Sequence, residues 1–447
     1  MGDIARSIKI KWENSVLHRV YDMKDDRGKG RFCWMVSGIL ASVTGQMTGG
    51  LFLTSFLLLY DLDKSRIGIL IFIPYMASML NIFSPALLER FKKRRGLLIG
   101  MKLAYYIINI LGITLLPSVI QGSQGRIIGF VILTLAANVV NQLASSGWAA
   151  WQASFLPDNV RVDYFQLTNA IQNAFIWVIA LGVSVLGDMF SGTEHELLML
   201  TIIRYVAFII AIVDCVIWLI PREFPYALKE RPKISNVFVL PFKNKPFFLT
   251  LVVLAVYNFA CQLPSATINA YLLEDVGVKY SLVSGINATY FLFCFALSPL
   301  WKQFVNKHYW YRAFAFEMVM EAVTYLMYAF VTSNSIWLYV VVRLSQHILG
   351  VLLGTISGPI FYAVLPQEDQ MSYLSFNTLF INGAIFVSMM LGTALAAIMG
   401  DSVIMIGGMG FTSTQICLLG CGVLLFADCI FAFWLGKKIV RKDDSND

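Results

Sequence analysis

Long apolar stretches recur along the whole chain, at about 32–60, 66–88, 96–118, 127–155, 166–190, 197–220, 247–273, 281–301, 311–332, 336–364, 372–398 and 409–436. A helix needs roughly 20 such residues to cross the ~30 Å hydrocarbon core of a bilayer. In hydrocarbon the backbone must satisfy its own hydrogen bonds, so helices are the expected form, and these runs are too long for barrel strands. Hydrophobic residues make up 58% of the 447 and charged residues only 14%, a balance outside the soluble range. The chain therefore reads as an all-α membrane protein with twelve transmembrane helices.

The net charge of +7 is informative through its distribution, because Lys and Arg collect where they need not cross the membrane. One side holds the N-terminal arm, Arg90 to Arg95, Arg222 to Lys245, Lys302, Lys307, Arg312 and the tail's Lys437, Lys438, Arg441 and Lys442. The other side has little beyond Lys64, Arg66, Arg126 and Lys279. Both termini are then expected in the cytoplasm, which agrees with an even number of spans. The basic excess is a topology signal, and no nucleic-acid partner is expected. The opening residues are too charged for a secretory signal. The seven cysteines fall inside the apolar runs, which argues for core packing over disulfides.

Five segments follow. Residues 1–31 form a cytoplasmic amphipathic arm, in which Ile4, Ile8, Trp12, Val16 and Val20 recur at steps of four among basic residues, the pattern of a helix lying on the inner leaflet. Residues 32–220 and 247–436 are two six-helix bundles, 221–246 a cytoplasmic linker and 437–447 a cytoplasmic tail. The bundles echo each other. At an offset of 209, Leu156-Pro157, Tyr164 and Asn173 fall on Leu365-Pro366, Tyr373 and Asn382. At an offset of 214, Asp214-Cys215 falls on Asp428-Cys429 and Ser84-Pro85 on Ser298-Pro299. The pattern is that of two six-helix pseudo-repeats.

Between the second and third runs stands PALLERFKKR, Pro85 to Arg94. With the two-bundle plan and the segments 147–165 and 258–288, it resembles the major facilitator superfamily of secondary transporters, in a poorly assigned bacterial branch. Leu87, Arg90, Lys93 and Arg94 fit that family's motif, whereas Pro85, Glu89 and Lys92 depart from it. The resemblance implies a gate built from Glu89, Arg90, Lys93 and Arg94, since an acid beside a basic cluster can hold and release a neighbouring helix end. It also implies that spans one, four, seven and ten line a central cavity.

Spacing gives those spans polar faces. Span seven carries Asn258, Gln262, Ser265 and Asn269 at steps of four, three and four, one side of a helix. Span four carries Asn138, Asn141, Gln142, Ser145 and Trp148, and span one offers Gln46 among threonines. Span ten carries Arg343, Gln346 and His347. A guanidinium at membrane depth costs at least ~2.5–3.5 kcal/mol. Arg343 lies about 10 Å and His347 about 16 Å from the start of its span, at 1.5 Å per residue. Arg343 is therefore expected to bind an anionic or richly hydroxylated group, with Glu274 and Asp275 as alternative internal partners. His347 is the candidate proton carrier, because its ordinary titration range straddles physiological pH.

The resemblance implies that the other charges in the spans, Asp214, Asp428, Arg204, Glu317 and Glu321, lie outside the cavity, so they are assigned to structure, and Lys102, near the start of its span, can snorkel to the membrane surface. No metal, nucleophile or phosphate-loop motif points to an enzyme, and no cofactor is expected. The sequence reads as a monomeric secondary active or facilitative transporter in the bacterial inner membrane, moving a sugar-like compound or organic anion by alternating access. Its partners are the small-molecule substrate, a candidate coupling proton and the lipid bilayer. Efflux of amphipathic compounds, or a non-transporting receptor or scaffold on a transporter fold, are the alternatives.

Overall fold

A computed structural model describes residues 16–88, 91, 93–224, 234–307, 310–366, 368 and 370–443. The first fifteen residues of the predicted amphipathic arm and most of the linker's centre lie outside the described residues. The chain forms two compact units: Met1–Leu53 with Leu80–Lys229, and Thr54–Met79 with Glu230–Asp447.

In the first unit, helix Asp26–Thr48 begins at Asp25, whose carboxylate accepts the Gly28 N–H at 3.1 Å, satisfying a donor that the first turn leaves free. This helix packs against Asp158–Phe190 and Glu196–Ile217, while Arg95–Tyr106 packs against Ser123–Ser154. Glu223 accepts the backbone N–H groups of Arg94 and Arg95 at 2.6 and 3.3 Å, placing an acid at the positive end of the Arg95–Tyr106 helix. A core of Leu88, Leu98, Trp151, Phe155 and Trp218 lies between these helices.

Helix Arg95–Tyr106 continues into a π-helical turn, Ile107–Gly112, and then Ile113–Val119. A π turn disturbs the regular hydrogen-bond ladder, and Arg204 takes up what it releases. Its guanidinium donates to the Asn109 carbonyl at 3.2 Å, to the Thr48 carbonyl at 3.3 Å where helix Asp26–Thr48 ends, and to Thr114 Oγ1 at 2.8 Å. Arg204 is thus committed to holding interrupted helices together.

In the second unit, helix Trp310–Tyr328 packs against Ser413–Asp443 and Ile336–Val364 around Tyr257, Phe314, Met318, Leu352 and Cys421. Helix Lys64–Ser78 packs against Gln370–Met399. The approach is close because Gly68 has no side chain: a Cβ there would lie 2.5 Å from Thr393 Oγ1. Phe72 and Phe386 meet edge to face, with centroids 5.4 Å apart. A hairpin pairs Ile404–Ile406 with Met409–Phe411. Its turn, Gly407-Gly408, has positive φ at both positions, as a two-residue hairpin turn requires.

Eleven helices among the described residues are long and apolar enough to span a membrane. The ninth predicted run does form a helix, Trp310–Tyr328, but its 19 residues include Arg312, Glu317 and Glu321 and it is not among those eleven.

Lys64 donates to both Asp275 oxygens at 2.8 Å and lies 3.6 Å from Glu274. These two acids, expected as partners of Arg343, are therefore held by Lys64. Burial pushes the Glu274 carboxyl up from its ordinary range, with Lys64 opposing the shift. An acid raised by folding stabilises the fold below its unfolded titration point, and that contribution is lost as pH rises through the folded one. Glu274→Gln is thus expected to remove part of the loss of thermal stability on going from acidic to neutral pH. Asp275→Asn should instead lower stability by about 1 kcal/mol. Melting curves across pH check both; an unchanged pH profile in Glu274→Gln would contradict the assignment.

Candidate functional site

Each unit contains a cavity with polar side chains on its wall. In the first, a space of about 350 Å³ is lined by Trp34, Ser37, Lys102, Asn109, Trp148 and Trp218, among others. Lys102 does not snorkel. Its Nζ lies 2.7 Å from Asp214 Oδ2 and donates to Ser37 Oγ at 2.9 Å. Asp214 is fully buried and also accepts from Tyr106 OH at 2.6 Å and from Ser37 Oγ at 2.5 Å. Trp218 Nε1 donates to Ser37 Oγ at 2.9 Å.

Three rings surround the ammonium: Trp148, Trp218 and Tyr106, with centroids 5.2, 5.6 and 5.9 Å from Nζ. That is cation–π range. Trp34 and Trp148 flank Trp218, with centroids 5.1 and 4.8 Å from it. The wall therefore offers flat apolar rings beside a neutralised charge pair, together with the Asn109 and Asn141 amides. At the 214-residue repeat offset Phe316 stands where Lys102 does. Asp428, the counterpart of Asp214, is buried with neither carboxylate oxygen hydrogen-bonded among the described residues.

In the second unit a cavity of about 180 Å³ is lined by Ser265, Asn269, Asn287, Arg343, Gln346 and the ring of Tyr339, among others. Arg343 donates through Nη1 to Gln346 Oε1 at 2.8 Å and through Nη2 to Asn287 Oδ1 at 3.3 Å. Both partners are neutral amides. No carboxylate lies within ion-pair distance of the guanidinium among the described residues.

The predicted site residues divide accordingly. Arg343, Gln346 and Asn269 line the second cavity, and Trp148 lines the first. Asn138 and Asn258 donate to carbonyls one turn back in their own helices, Thr134 and Leu254, at 2.8 and 2.7 Å. Gln46 is exposed, Gln142 and Gln262 are half-buried, and none of the three lines either cavity. His347 packs against the Tyr290 ring, centroids 5.4 Å apart, with its Nε2 buried and without a hydrogen bond among the described residues. Glu89 and Arg90 lie outside the described residues. Lys93 is exposed, and the Arg94 Nε donates to the Phe91 carbonyl at 3.3 Å.

Sequence reading missed Ser37, Lys102, Tyr106 and Asp214 as one network, and Asn287 as a partner of Arg343. A signal existed for the first group, since ionisable residues at membrane depth default to pairing or function.

No protein-family model matches the sequence, and no curated protein matches it. Solved structures do. A mutant of nucleoside transporter NupG superposes with a TM-score of 0.65 at 13% identity, covering 91% of this chain and 99% of that one. The POT family transporter PepTSo gives 0.65 at 11% identity, covering 91% and 98%. The D-xylose-proton symporter gives 0.58 at 14%, covering 90% and 96%. The chain adopts the major facilitator fold. At these identities the likeness fixes the path of the chain and leaves the chemistry of the site to its own residues. In this chain of the major facilitator fold, those residues are an ion pair boxed by aromatic rings in one unit and an arginine held by amides in the other.

Proposed function

We propose that the protein is a secondary transporter that moves a small organic anion or acidic sugar-like solute across the membrane by alternating access. The observation that carries this reading is Arg343, a cation on a cavity wall at membrane depth whose bonded partners are uncharged. A guanidinium so placed is stabilised by an incoming carboxylate, which its planar donor fork matches with two parallel hydrogen bonds. Asn269, Gln346 and Ser265, on the same cavity wall, add groups suited to hydroxyls. The fold's likeness to a nucleoside transporter and to a D-xylose-proton symporter supports a small polar solute.

The same reading has twelve spanning helices in two six-helix pseudo-repeats, with Trp310–Tyr328 as the ninth. It places the chain in the bacterial inner membrane as a monomer with both termini cytoplasmic, and assigns it no enzymatic activity.

Purified protein in mild detergent tests it through the melting temperature, because a ligand of the folded state stabilises it. Across neutral sugars, sugar acids, small carboxylates and lipophilic cations, the expected result is a rise with sugar acids or carboxylates that disappears in Arg343→Gln. A rise with neutral sugars that survives the substitution would move recognition to the amides and overturn the anion reading.

A further inference from the structure

The larger cavity lies within the first unit and shares no lining residue with the Arg343 cavity. Helix Asp26–Thr48 supplies one wall: Trp34, Ser37, Ala41, Thr44 and Thr48 follow at steps of three and four, a single helix face. Helices Arg95–Tyr106 and Ser123–Ser154 supply Lys102 and Trp148. Its volume, about 350 Å³, falls in the range of small-molecule sites, ~300–1,000 Å³.

At the Trp34 end the polar groups satisfy one another. Lys102 is held by Asp214 and Ser37, Ser37 and Tyr106 donate to Asp214, and Trp218 Nε1 donates to Ser37. Ring faces are left, around a charge that is already balanced. The Thr44 end is different. Thr44 stands seven residues beyond Ser37, about 10 Å along the helix axis. It is 2% exposed, and its Oγ1 is buried with no hydrogen bond among the described residues. A hydroxyl so placed costs free energy until a partner reaches it. Next to it, a Cβ added at Gly45 would meet nothing within 4 Å, so the space beside Thr44 is open.

This wall is selective. Because the ion pair is balanced, an ionic ligand would carry its charge into a buried space with no counter-charge waiting. A sugar would bring more hydroxyls than the wall has unmet partners. A flat ring suits the tryptophan faces, and the ammonium among them favours an electron-rich ring. One hydroxyl on a short arm then spans the distance to Thr44.

We propose that the cavity of the first unit is a second binding site, for a neutral aromatic alcohol whose ring lies against Trp34 and Trp148 and whose hydroxyl pairs with Thr44 Oγ1. The site goes beyond the anion reading and is independent of Arg343.

The test uses the purified full chain in mild detergent with labelled tryptophol, an indole carrying one hydroxyl on an ethyl arm, and equilibrium dialysis against protein-free micelles. The expected result is saturable binding to the wild type, with the same affinity in Arg343→Gln. Tryptamine, which carries a cation in place of the hydroxyl, is expected not to compete, and 2-cyclohexylethanol, whose ring is saturated, to compete only weakly. Thr44→Val keeps the shape and removes the hydroxyl. Its affinity for tryptophol is expected to fall about 3–10-fold, while the melting temperature of the unliganded protein rises, because a buried polar atom without a partner has been removed. Gly45→Leu, if its melting curve shows it folded, is expected to abolish saturable binding by filling the cavity.

No saturable binding to the wild type, or equal affinity in the wild type and Thr44→Val, would overturn the proposal. Loss of binding in Arg343→Gln would place the alcohol in the other cavity and equally overturn it. A lower melting temperature in unliganded Thr44→Val would assign the hydroxyl to the fold, with the same consequence. Each of these outcomes leaves the anion reading to be judged by its own carboxylate ligands.

Discussion

Replacing Lys102 with Met, or Asp214 with Asn, is expected to destabilise the purified protein by about 3–5 kcal/mol, the cost of leaving one charge of a buried pair without its partner. The geometry leaves little room for relief. Asp214 is fully buried and Lys102 nearly so, at 0% and 15% side-chain exposure, and the ammonium is closed in by three aromatic rings. Lys102→Met keeps the length of the stem but strands the carboxylate with only the Ser37 and Tyr106 hydroxyls. Asp214→Asn keeps one acceptor oxygen for the Ser37 and Tyr106 hydroxyls, turns the other into an amide donor, and strands the ammonium.

The double variant carries neither charge, so it is expected to lose distinctly less than the two single losses added together. Melting temperatures of the four proteins close the cycle. Simple additivity would mean that the two groups act independently and that the 2.7 Å approach carries no coupling.

Arg343→Gln is expected to lower the affinity for a carboxylate ligand by roughly 10–100-fold, the equivalent of losing charge-assisted hydrogen bonds worth about 1.5–3 kcal/mol. Expression and folding should persist, because the partners left behind, Gln346 and Asn287, are neutral amides. Arg343→Lys separates charge from shape. A lysine keeps the cation but cannot hold both amides and a carboxylate with one planar fork. Its expected loss is about tenfold, between wild type and Gln. Binding isotherms of the three proteins decide, and equal affinities for Arg and Lys would indicate that charge alone is read.

The spans were legible because hydrocarbon imposes a length and a composition that nothing else in the chain imitates. Arg343, Gln346 and Asn269 were legible because polar residues at helical spacing must lie on one face. The same spacing does not disclose how Asn138 and Asn258 are bonded. A short amide in an apolar setting can bond the carbonyl one turn back in its own helix, and both do, so a polar stripe cannot separate a cavity wall from a self-satisfied helix.

The Lys102 and Asp214 pair was hidden for a different reason. The two residues are far apart in sequence and meet only because helices Arg95–Tyr106 and Glu196–Ile217 pack together. Reading each alone made one a snorkelling lysine and the other a structural acid. The partners of Lys64 were equally hidden, since residues 54–79 join the second unit, a choice that chain order does not disclose.

The most direct measurement is counterflow in proteoliposomes. Vesicles carrying the wild-type protein are loaded with unlabelled D-glucuronate and diluted into a trace of labelled D-glucuronate. The expected result is transient accumulation of label inside, absent from vesicles carrying Arg343→Gln. Binding of glucuronate in detergent with no counterflow in vesicles would contradict transport and make the protein a receptor on a transporter fold.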